Sequence, residues 1–111
     1  MDGKPLLWAG SSRKDLRDLA PAVRKELGTD LRRVQSGLAP RDWKPMSVVG
    51  AGVVEIRVRL EGAFRLMYIA KFAEGIYVLH VFEKKSRKTN GLDLDVARTR
   101  LAAVRRARTG E

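Results

Sequence analysis

Cysteine is absent from the 111-residue sequence, and His80 is its single histidine. Disulfide frameworks, zinc ribbons and thiol catalysis are therefore excluded together, and a Ser-His-Asp triad or a histidine metal site lacks its usual groups. The sequence also has neither a GxxxxGK[ST] loop nor an HExxH segment. We expect no metal ion and no other cofactor, so that any chemistry uses arginine, lysine, tyrosine or carboxylate side chains.

Long apolar runs are also absent. The longest, residues 63–70 and 76–82, are interrupted by Arg65 and His80. Both are far shorter than the roughly 20 residues that a membrane-spanning helix needs. The sequence shows no charged-then-apolar leader of the kind that directs secretion. We therefore expect a cytoplasmic protein without a membrane segment.

Positive charge predominates. Lysine and arginine number 23, aspartate and glutamate number 13, and the formal net charge is +10. A charge of this size attracts polyanions at long range, so we expect a nucleic acid or an acidic protein as the partner. The length predicts one domain, residues 1–111.

Helical periodicity occupies the first half of the chain. Apolar residues recur every three or four positions from Leu16 to Leu38, which places them on one helical stripe. Pro21 interrupts the stripe, because proline inside a helix loses a backbone donor but is tolerated in the first turn. The pattern predicts two helices, at residues 12–19 and 21–36.

Two patterns predict strands. Alternation of apolar and polar residues predicts strands at residues 53–60 and 63–69, and short apolar runs predict strands at residues 5–9 and 76–82. Between the second helix and the second strand, residues 40–45 are predicted to be a connector whose Trp43 packs against the core. The last strand is apolar on both faces, as a central strand is.

A third helix is predicted for residues 93–108. Two aspartates occupy its first turn and five arginines follow, in agreement with the helix dipole. The predicted fold class is therefore α+β, in the order β-α-α-β-β-β-α. We expect a small antiparallel sheet with an N-terminal helical hairpin, a C-terminal helix, and helices over one face.

Three arginines lie on the polar face of the hairpin that we expect strands 53–60 and 63–69 to form. Arg57, Arg59 and Arg65 alternate with apolar residues, so they share the side away from the apolar face. Such a cluster can hold a phosphodiester and neutralise the charge that develops on it. The ordinary interpretation, solvated charges on a strand, remains open at this stage. His80 is interpreted as a buried sheet histidine on the face of Val78 and Phe82.

Seven short segments occur in an order and at spacings that one toxin family shares. They are KPLLW at 4–8, DL at 15–16, RRVQSGL at 32–38, DWKPM at 42–46, EIR at 55–57, FRLMY at 64–68 and FEKKS at 82–86. In these segments the chain resembles the RelE/ParE toxin superfamily, and specifically its phage-derived, HigB-like branch of type II toxins.

The resemblance implies a metal-independent endoribonuclease that enters the ribosomal A site and cleaves mRNA by attack of a 2′-hydroxyl. It implies that Arg57 and Arg59 activate the 2′-oxygen and steady the phosphate. Arg65, within FRLMY, is implied to stabilise the transition state, and Lys85 or its neighbour Lys84 to stabilise the leaving group.

One departure concerns the general acid. Where the family has a catalytic tyrosine or a C-terminal histidine, residues 88–91 of this chain have neither. Tyr68, Lys85 and Glu55 are the alternatives that the sequence offers.

The resemblance also implies a partner. We expect a cognate antitoxin, a helix-turn-helix protein, that forms a hetero-oligomer with the toxin and connects it to operator DNA. Two other functions remain open: a ParE-like inhibitor of DNA gyrase without nuclease activity, and a basic binding protein that has lost catalysis.

Overall fold

The computed structural model describes residues 3–88 and 90–110, which form five strands and three helices. The strands are β1 (Leu6–Trp8), β2 (Trp43–Pro45), β3 (Val53–Arg59), β4 (Ala63–Ile69) and β5 (Ile76–Lys84). The helices are α1 (Ser12–Arg17), α2 (Pro21–Gln35) and α3 (Gly91–Thr109). The predicted α+β class is confirmed.

All five strands join one sheet in the order β1-β5-β4-β3-β2. β1 lies parallel to β5, with Leu6 opposite Ile76, and the other neighbouring strands are antiparallel. The sheet is therefore mixed, and the prediction of an antiparallel sheet is wrong for the β1 edge. Alternation has the same period in both strand directions, so it carries no information about direction.

β2 forms the opposite edge of the sheet and was not predicted. It pairs with β3, with Trp43 opposite Ile56 and Lys44 opposite Glu55. Three residues that end in proline are too few to show an alternating pattern. Trp43 is 44% exposed at this edge, so the prediction that it packs against the core is wrong.

Helices cover both faces of the sheet, whereas the sequence predicted helices over one face. On the first face, α2 packs on the sheet through Val23, Leu27, Leu31 and Val34, and the sheet contributes Ile56, Val58, Leu66, Tyr68, Ile76, Val78 and Val81. On the second face, α3 contributes Ala97, Leu101 and Val104, which pack with Val53, Met67, Ile69, Leu79 and Phe82. The prediction failed because the second face also carries a group of apolar side chains, and that group needs a cover.

A β-bulge in β5 determines where His80 points. Successive residues of β4 lie opposite Val78 and His80, so Leu79 is an additional residue in β5. His80 therefore lies on the second face and stacks on Phe82, with ring centroids 4.7 Å apart, while Val78 belongs to the first face. The prediction of a buried sheet histidine is confirmed, and the prediction that it shares a face with Val78 is wrong.

The helix boundaries agree with the sequence prediction to within two residues at each end. Pro21 occupies the first turn of α2, where its missing N–H costs no hydrogen bond. Asn90 caps α3, because its side-chain oxygen accepts a hydrogen bond from the backbone N of Leu92 at 2.7 Å.

A buried ion pair holds the connector between α2 and β2. Asp30 is 1% exposed, and its Oδ1 accepts hydrogen bonds from the backbone N and from Nε of Arg41, both at 3.0 Å. The backbone oxygen of the next residue, Asp42, accepts a hydrogen bond from the backbone N of Arg57 at 2.9 Å. These contacts place β2 beside β3 and bring Lys44 onto the second face of the sheet.

Glu74 and Arg108 join the loop between β4 and β5 to the last turn of α3. Arg108 Nε donates a hydrogen bond to Glu74 Oε2 at 2.5 Å, and Tyr77 OH donates to the same oxygen at 2.8 Å. The bond from Arg108 is the main reason that the pKa of the Glu74 carboxyl is lowered to about 2. This pair therefore ties α3 to the sheet only while Glu74 is ionised.

Replacing Glu74 with glutamine is expected to lower the melting temperature at pH 7. The difference in melting temperature from the wild type is expected to shrink as the pH falls from about 4.5 to about 2. A pKa depressed in the folded state stabilises the fold above the pKa of the unfolded chain, and this stabilisation is lost as the pH falls through the folded value. Melting curves of both proteins across this range check the prediction, with Glu83→Gln, an exposed carboxyl of β5, as the control. A difference in melting temperature that does not change with pH would contradict it.

Candidate functional site

The second face of the sheet is polar beyond the area that α3 covers. Arg57 of β3 lies opposite Arg65 of β4, and Ala63 of β4 lies opposite Lys84 of β5. Residues paired directly across antiparallel strands share a face. One face therefore carries what we call the basic cluster: Lys44, Arg57, Arg59, Arg65 and Lys84, with Glu55 among them.

Glu55 and Arg65 form a buried ion pair at the centre of the basic cluster. Glu55 is 0% exposed and Arg65 is 6% exposed. Arg65 Nε lies 3.5 Å from Glu55 Oε1, a distance too long for a good hydrogen bond. Three polar atoms of the pair have no hydrogen-bond partner among the described residues: both carboxylate oxygens of Glu55 and the Nε of Arg65. Arg65 Nη1 donates a hydrogen bond to the backbone oxygen of Phe64 at 3.1 Å. Attraction between the two opposite charges, and not a direct hydrogen bond, therefore joins Glu55 to Arg65.

Burial shifts the pKa of each of these groups toward its neutral form. It raises the pKa of the Glu55 carboxyl, although Arg65 and Lys44 oppose the shift. It lowers the pKa of the Arg65 guanidinium, and Glu55 opposes that shift. Lys84 also has a lowered pKa, first because of desolvation and then because Arg65 lies near it. Its ammonium therefore gives up a proton more readily than that of an ordinary lysine.

A groove opens beside the basic cluster, and we call it the basic groove. Its volume is about 440 Å³. Its lining is Arg59, Ala63, Arg65, Lys84, Lys85, Ser86 and Arg87. Five of these seven residues are cationic, so the groove is a site for an anion with several oxygens.

A second groove adjoins the first at Lys84 and Arg87, which line both grooves. We call it the apolar-walled groove, and its volume is about 360 Å³. Its lining is Lys44, Pro45, Met46, Ser47, Val48, Lys84, Arg87, Lys88 and Leu94. Apolar side chains from the turn after β2 and from α3 thus face a row of cations.

Comparison with known families decides what kind of chain this is. The family model described as "Phage derived protein Gp49-like (DUF891)" matches residues 14–102, which extend from α1 into α3. The chain belongs to this family. No curated protein matches the Gp49-like chain. The prediction of a phage-derived family is confirmed, and the finer HigB-like assignment stays a prediction.

The structure of the Gp49-like chain brings four of the five predicted site residues together. Arg59, Arg65, Lys84 and Lys85 line the basic groove. Arg57 lines a neighbouring groove instead, where its Nε lies 3.5 Å from Oδ1 of Asp42. Arg57 still acts on the cluster through its charge, because it lies directly opposite Arg65.

The three alternatives for a general acid separate in space. Tyr68 packs on the first face, away from the basic groove, and burial raises its pKa to about 12. Glu55 lies beneath the cluster, and Lys85 lines the groove itself. His80 lies elsewhere on the second face, with its Nε2 2.7 Å from Oδ1 of Asp93. Of the segment 88–91, Thr89 lies outside the described residues.

Two groups of site residues escaped the sequence analysis. Lys44 joins the cluster only because β2 pairs with β3, and nothing in a three-residue strand signals this. Ser86 and Arg87 also line the basic groove. They belong to the segment KKSRK, residues 84–88, which begins with the last residue of β5. A run of basic residues at the end of a strand is a signal that the sequence does carry.

Residues 3–88 and 90–110 contain no group of three or more histidine, aspartate or glutamate side chains arranged to hold a metal ion. None of their helices combines the length and the apolar character that crossing a membrane requires.

Proposed function

We propose that this Gp49-like protein is the toxin of a type II toxin–antitoxin pair and cleaves mRNA on the ribosome. The observation that carries the proposal is the basic groove, in which five cations line an open anion site above the buried pair of Glu55 and Arg65. The phage-derived family and the resemblance to RelE-type toxins support the same function.

The reaction transfers the proton of the 2′-hydroxyl to water, forms a bond between the 2′-oxygen and the adjacent phosphorus, and breaks the bond from that phosphorus to the 5′-oxygen. The products are a 2′,3′-cyclic phosphate and a 5′-hydroxyl. RNA supplies the nucleophile, so the protein needs only to position the strand and stabilise charge. Arg59 and Arg87 hold the phosphate, and Arg57, which lines the neighbouring groove directly opposite Arg65, favours the ionised 2′-oxygen through its charge.

Arg65 and Lys84 act at the reacting phosphate. The Arg65 guanidinium borders the groove and is oriented by Glu55, so it faces the non-bridging oxygens where negative charge increases. Lys84 donates a proton to the departing 5′-oxygen, and its lowered pKa makes it a better acid than an ordinary lysine. Lys85 adds positive charge at the same end of the groove.

The antitoxin is the partner in this proposal. A helix-turn-helix protein with an acidic segment is suited to cover the basic cluster, because the segment replaces the phosphates of the RNA. The hetero-oligomer then reaches operator DNA through the antitoxin alone.

The test is a translation extract that contains one reporter mRNA, with the 5′ ends of the fragments mapped after the protein is added. Wild-type protein is expected to produce cuts aligned with codons, and only when ribosomes are present. Lys84→Ala is expected to reduce cleavage by about 100-fold, since one charge that stabilises the transition state is lost. Arg106→Ala, on the exposed side of α3, removes the same charge elsewhere and is expected to cleave as the wild type does.

Intact mRNA in cells whose growth has stopped and whose DNA is damaged would contradict the proposal and favour the ParE-like inhibitor of gyrase. A second candidate function is a basic RNA-binding protein without catalysis. The burial of Arg65 favours this second function, because a guanidinium that is only 6% exposed has little surface to offer a reacting phosphate. RNA binding without fragments, in the same extract, would identify this function.

A further inference from the structure

The apolar-walled groove is unusual for a surface so rich in cations. Val48 lies on its rim and is 57% exposed, although it is apolar. Pro45, Met46 and Leu94 extend this wall from the edge strand to α3. The proposed handling of a phosphate in the basic groove makes no use of these side chains.

The wall is anchored to α3 and is therefore part of the fold. Arg98 Nε donates a hydrogen bond to the backbone oxygen of Val48 at 2.9 Å. The backbone N of Val49 donates to the oxygen of Met46 at 2.9 Å, which closes the turn. The exposed Val48 side chain is thus held in place beside the cations.

The two grooves meet at Lys84 and Arg87, so a ligand that fills both must carry negative charge and an apolar surface close together. A nucleotide does so within one monomer, because its flat base is a few bonds from its phosphate. A peptide places its acidic and apolar groups on different residues. The volume of about 360 Å³ is near the lower end of the range of roughly 300–1,000 Å³ for small-ligand clefts, which suits one ring system.

We propose that the apolar-walled groove binds one base of the RNA strand whose phosphate occupies the basic groove. The proposal rests on the proposed function in that RNA is the ligand. The base lies against Pro45, Val48 and Leu94, with the Arg87 guanidinium at the boundary between the grooves. Ser47 also lines this groove, and its hydroxyl, which both donates and accepts hydrogen bonds, contacts the polar edge of the bound base. This groove, more than the basic groove, then sets which nucleotides flank the cut.

The test measures binding and cleavage separately. The probe for binding is a short single-stranded RNA with 2′-O-methyl groups, which resists 2′-hydroxyl attack, compared with the same strand carrying one abasic nucleotide at its centre. Wild-type protein is expected to bind the abasic strand about 5-fold more weakly or worse, because that strand lacks the apolar surface of one base and its contact with the Arg87 guanidinium. Val48→Trp, which fills the groove, is expected to abolish this preference and to change the nucleotides found at cut sites.

Leu38→Trp is the matched control, because Leu38 is an apolar residue of similar exposure, 54%, and lies outside both grooves. It is expected to keep the preference and the cut sites of the wild type. Val48→Ala, a milder change, is expected to weaken the preference, so the result does not depend on the tryptophan variant alone. Circular dichroism spectra of all variants report that the fold is unchanged.

The outcomes separate this proposal from the nuclease function. If the wild type cleaves mRNA, and Val48→Trp and Leu38→Trp cleave and bind alike, the base site is wrong and the nuclease function stands. If the wild type prefers the intact strand and only the Val48 variants lose the preference, the base site stands even when no cleavage is seen. Equal affinity of the wild type for both strands overturns the base site.

Discussion

Arg65→Gln is expected to reduce mRNA cleavage by roughly 100- to 1000-fold, the effect of removing one group that stabilises transition-state charge. It is also expected to lower the free energy of unfolding by about 3–5 kcal/mol at neutral pH, since it leaves a buried carboxylate without its partner. Glu55 is 0% exposed, and its oxygens have no hydrogen-bond partner among the described residues. The loss of stability is expected to shrink as the pH falls, because Glu55, whose pKa is already raised, then takes up a proton.

The double variant Glu55→Gln/Arg65→Gln separates chemistry from folding. It removes both charges at once, so that no buried charge is left without its partner. We expect its melting temperature to return close to that of the wild type while cleavage stays as low as in Arg65→Gln. Cleavage at the wild-type rate by the folded double variant would show that Arg65 has no part in the reaction.

Arg41→Ala is expected to lower the free energy of unfolding by about 2–3 kcal/mol, the range for hydrogen bonds to a buried charged group. The Asp30 carboxylate is buried, and its two oxygens accept bonds from Nε and Nη2 of Arg41 at 3.0 and 3.3 Å. The variant retains only the bond from the backbone N of Arg41. Because this contact positions β2, we also expect weaker RNA binding through a displaced Lys44. Urea denaturation and RNA titrations measure the two effects.

Arg33→Ala is the control for Arg41→Ala. Arg33 lies in the last turn of α2 and contacts the connector that contains Arg41. Its Nε donates a hydrogen bond to the backbone oxygen of Ala39 at 2.9 Å. That bond is exposed and involves no buried charge, so its loss is expected to cost less than about 1 kcal/mol. Equal losses of stability in the two variants would mean that the burial of Asp30 has no special role.

The helices were predictable because their signals are local. Seven apolar residues at spacings of three or four define the stripe interrupted by Pro21, and the proline effect depends on its own ring and one turn of backbone. The predicted boundaries of α2 and α3 accordingly differ from the observed ones by no more than two residues. Strands β3 and β4 were located for the same reason, since period-two alternation is also local, and β5 was located by its short apolar run, which is a local signal too.

The neighbours of each strand were not predictable, because pairing joins residues that are distant in the chain. β1 pairs with β5 about 70 positions later in the sequence, as in the pair of Leu6 with Ile76, and no local pattern encodes this. β2 is too short to be detected at all. The bulge at Leu79 reverses the side on which His80 lies, and the apolar residues on either side of His80 give no sign of the bulge.

The candidate site divides in the same way. The alternation of Arg57, Arg59 and Arg65 with apolar residues predicted a cationic strand face, and the resemblance to the toxin family added Lys84 and Lys85. The sequence did not indicate that Arg65 is buried against Glu55, that Lys44 joins from β2, or that Arg57 faces Asp42 instead of the basic groove. Each of these facts is a contact between residues that are distant in the sequence, and such contacts form only when the strands and helices assemble.

The sequence by itself determined the α+β class, the positions of the helices and main strands, the large positive charge and the residues that supply it. These follow from side-chain type and spacing, which act over a few residues. Only the tertiary structure decided that the sheet is mixed and covered on both faces, and that Glu55 and Arg65 are paired out of water. It also decided that two grooves meet at Lys84 and Arg87. The physical reason is that desolvation and charge–charge interactions depend on distances in space, and strand pairing across the whole chain sets those distances.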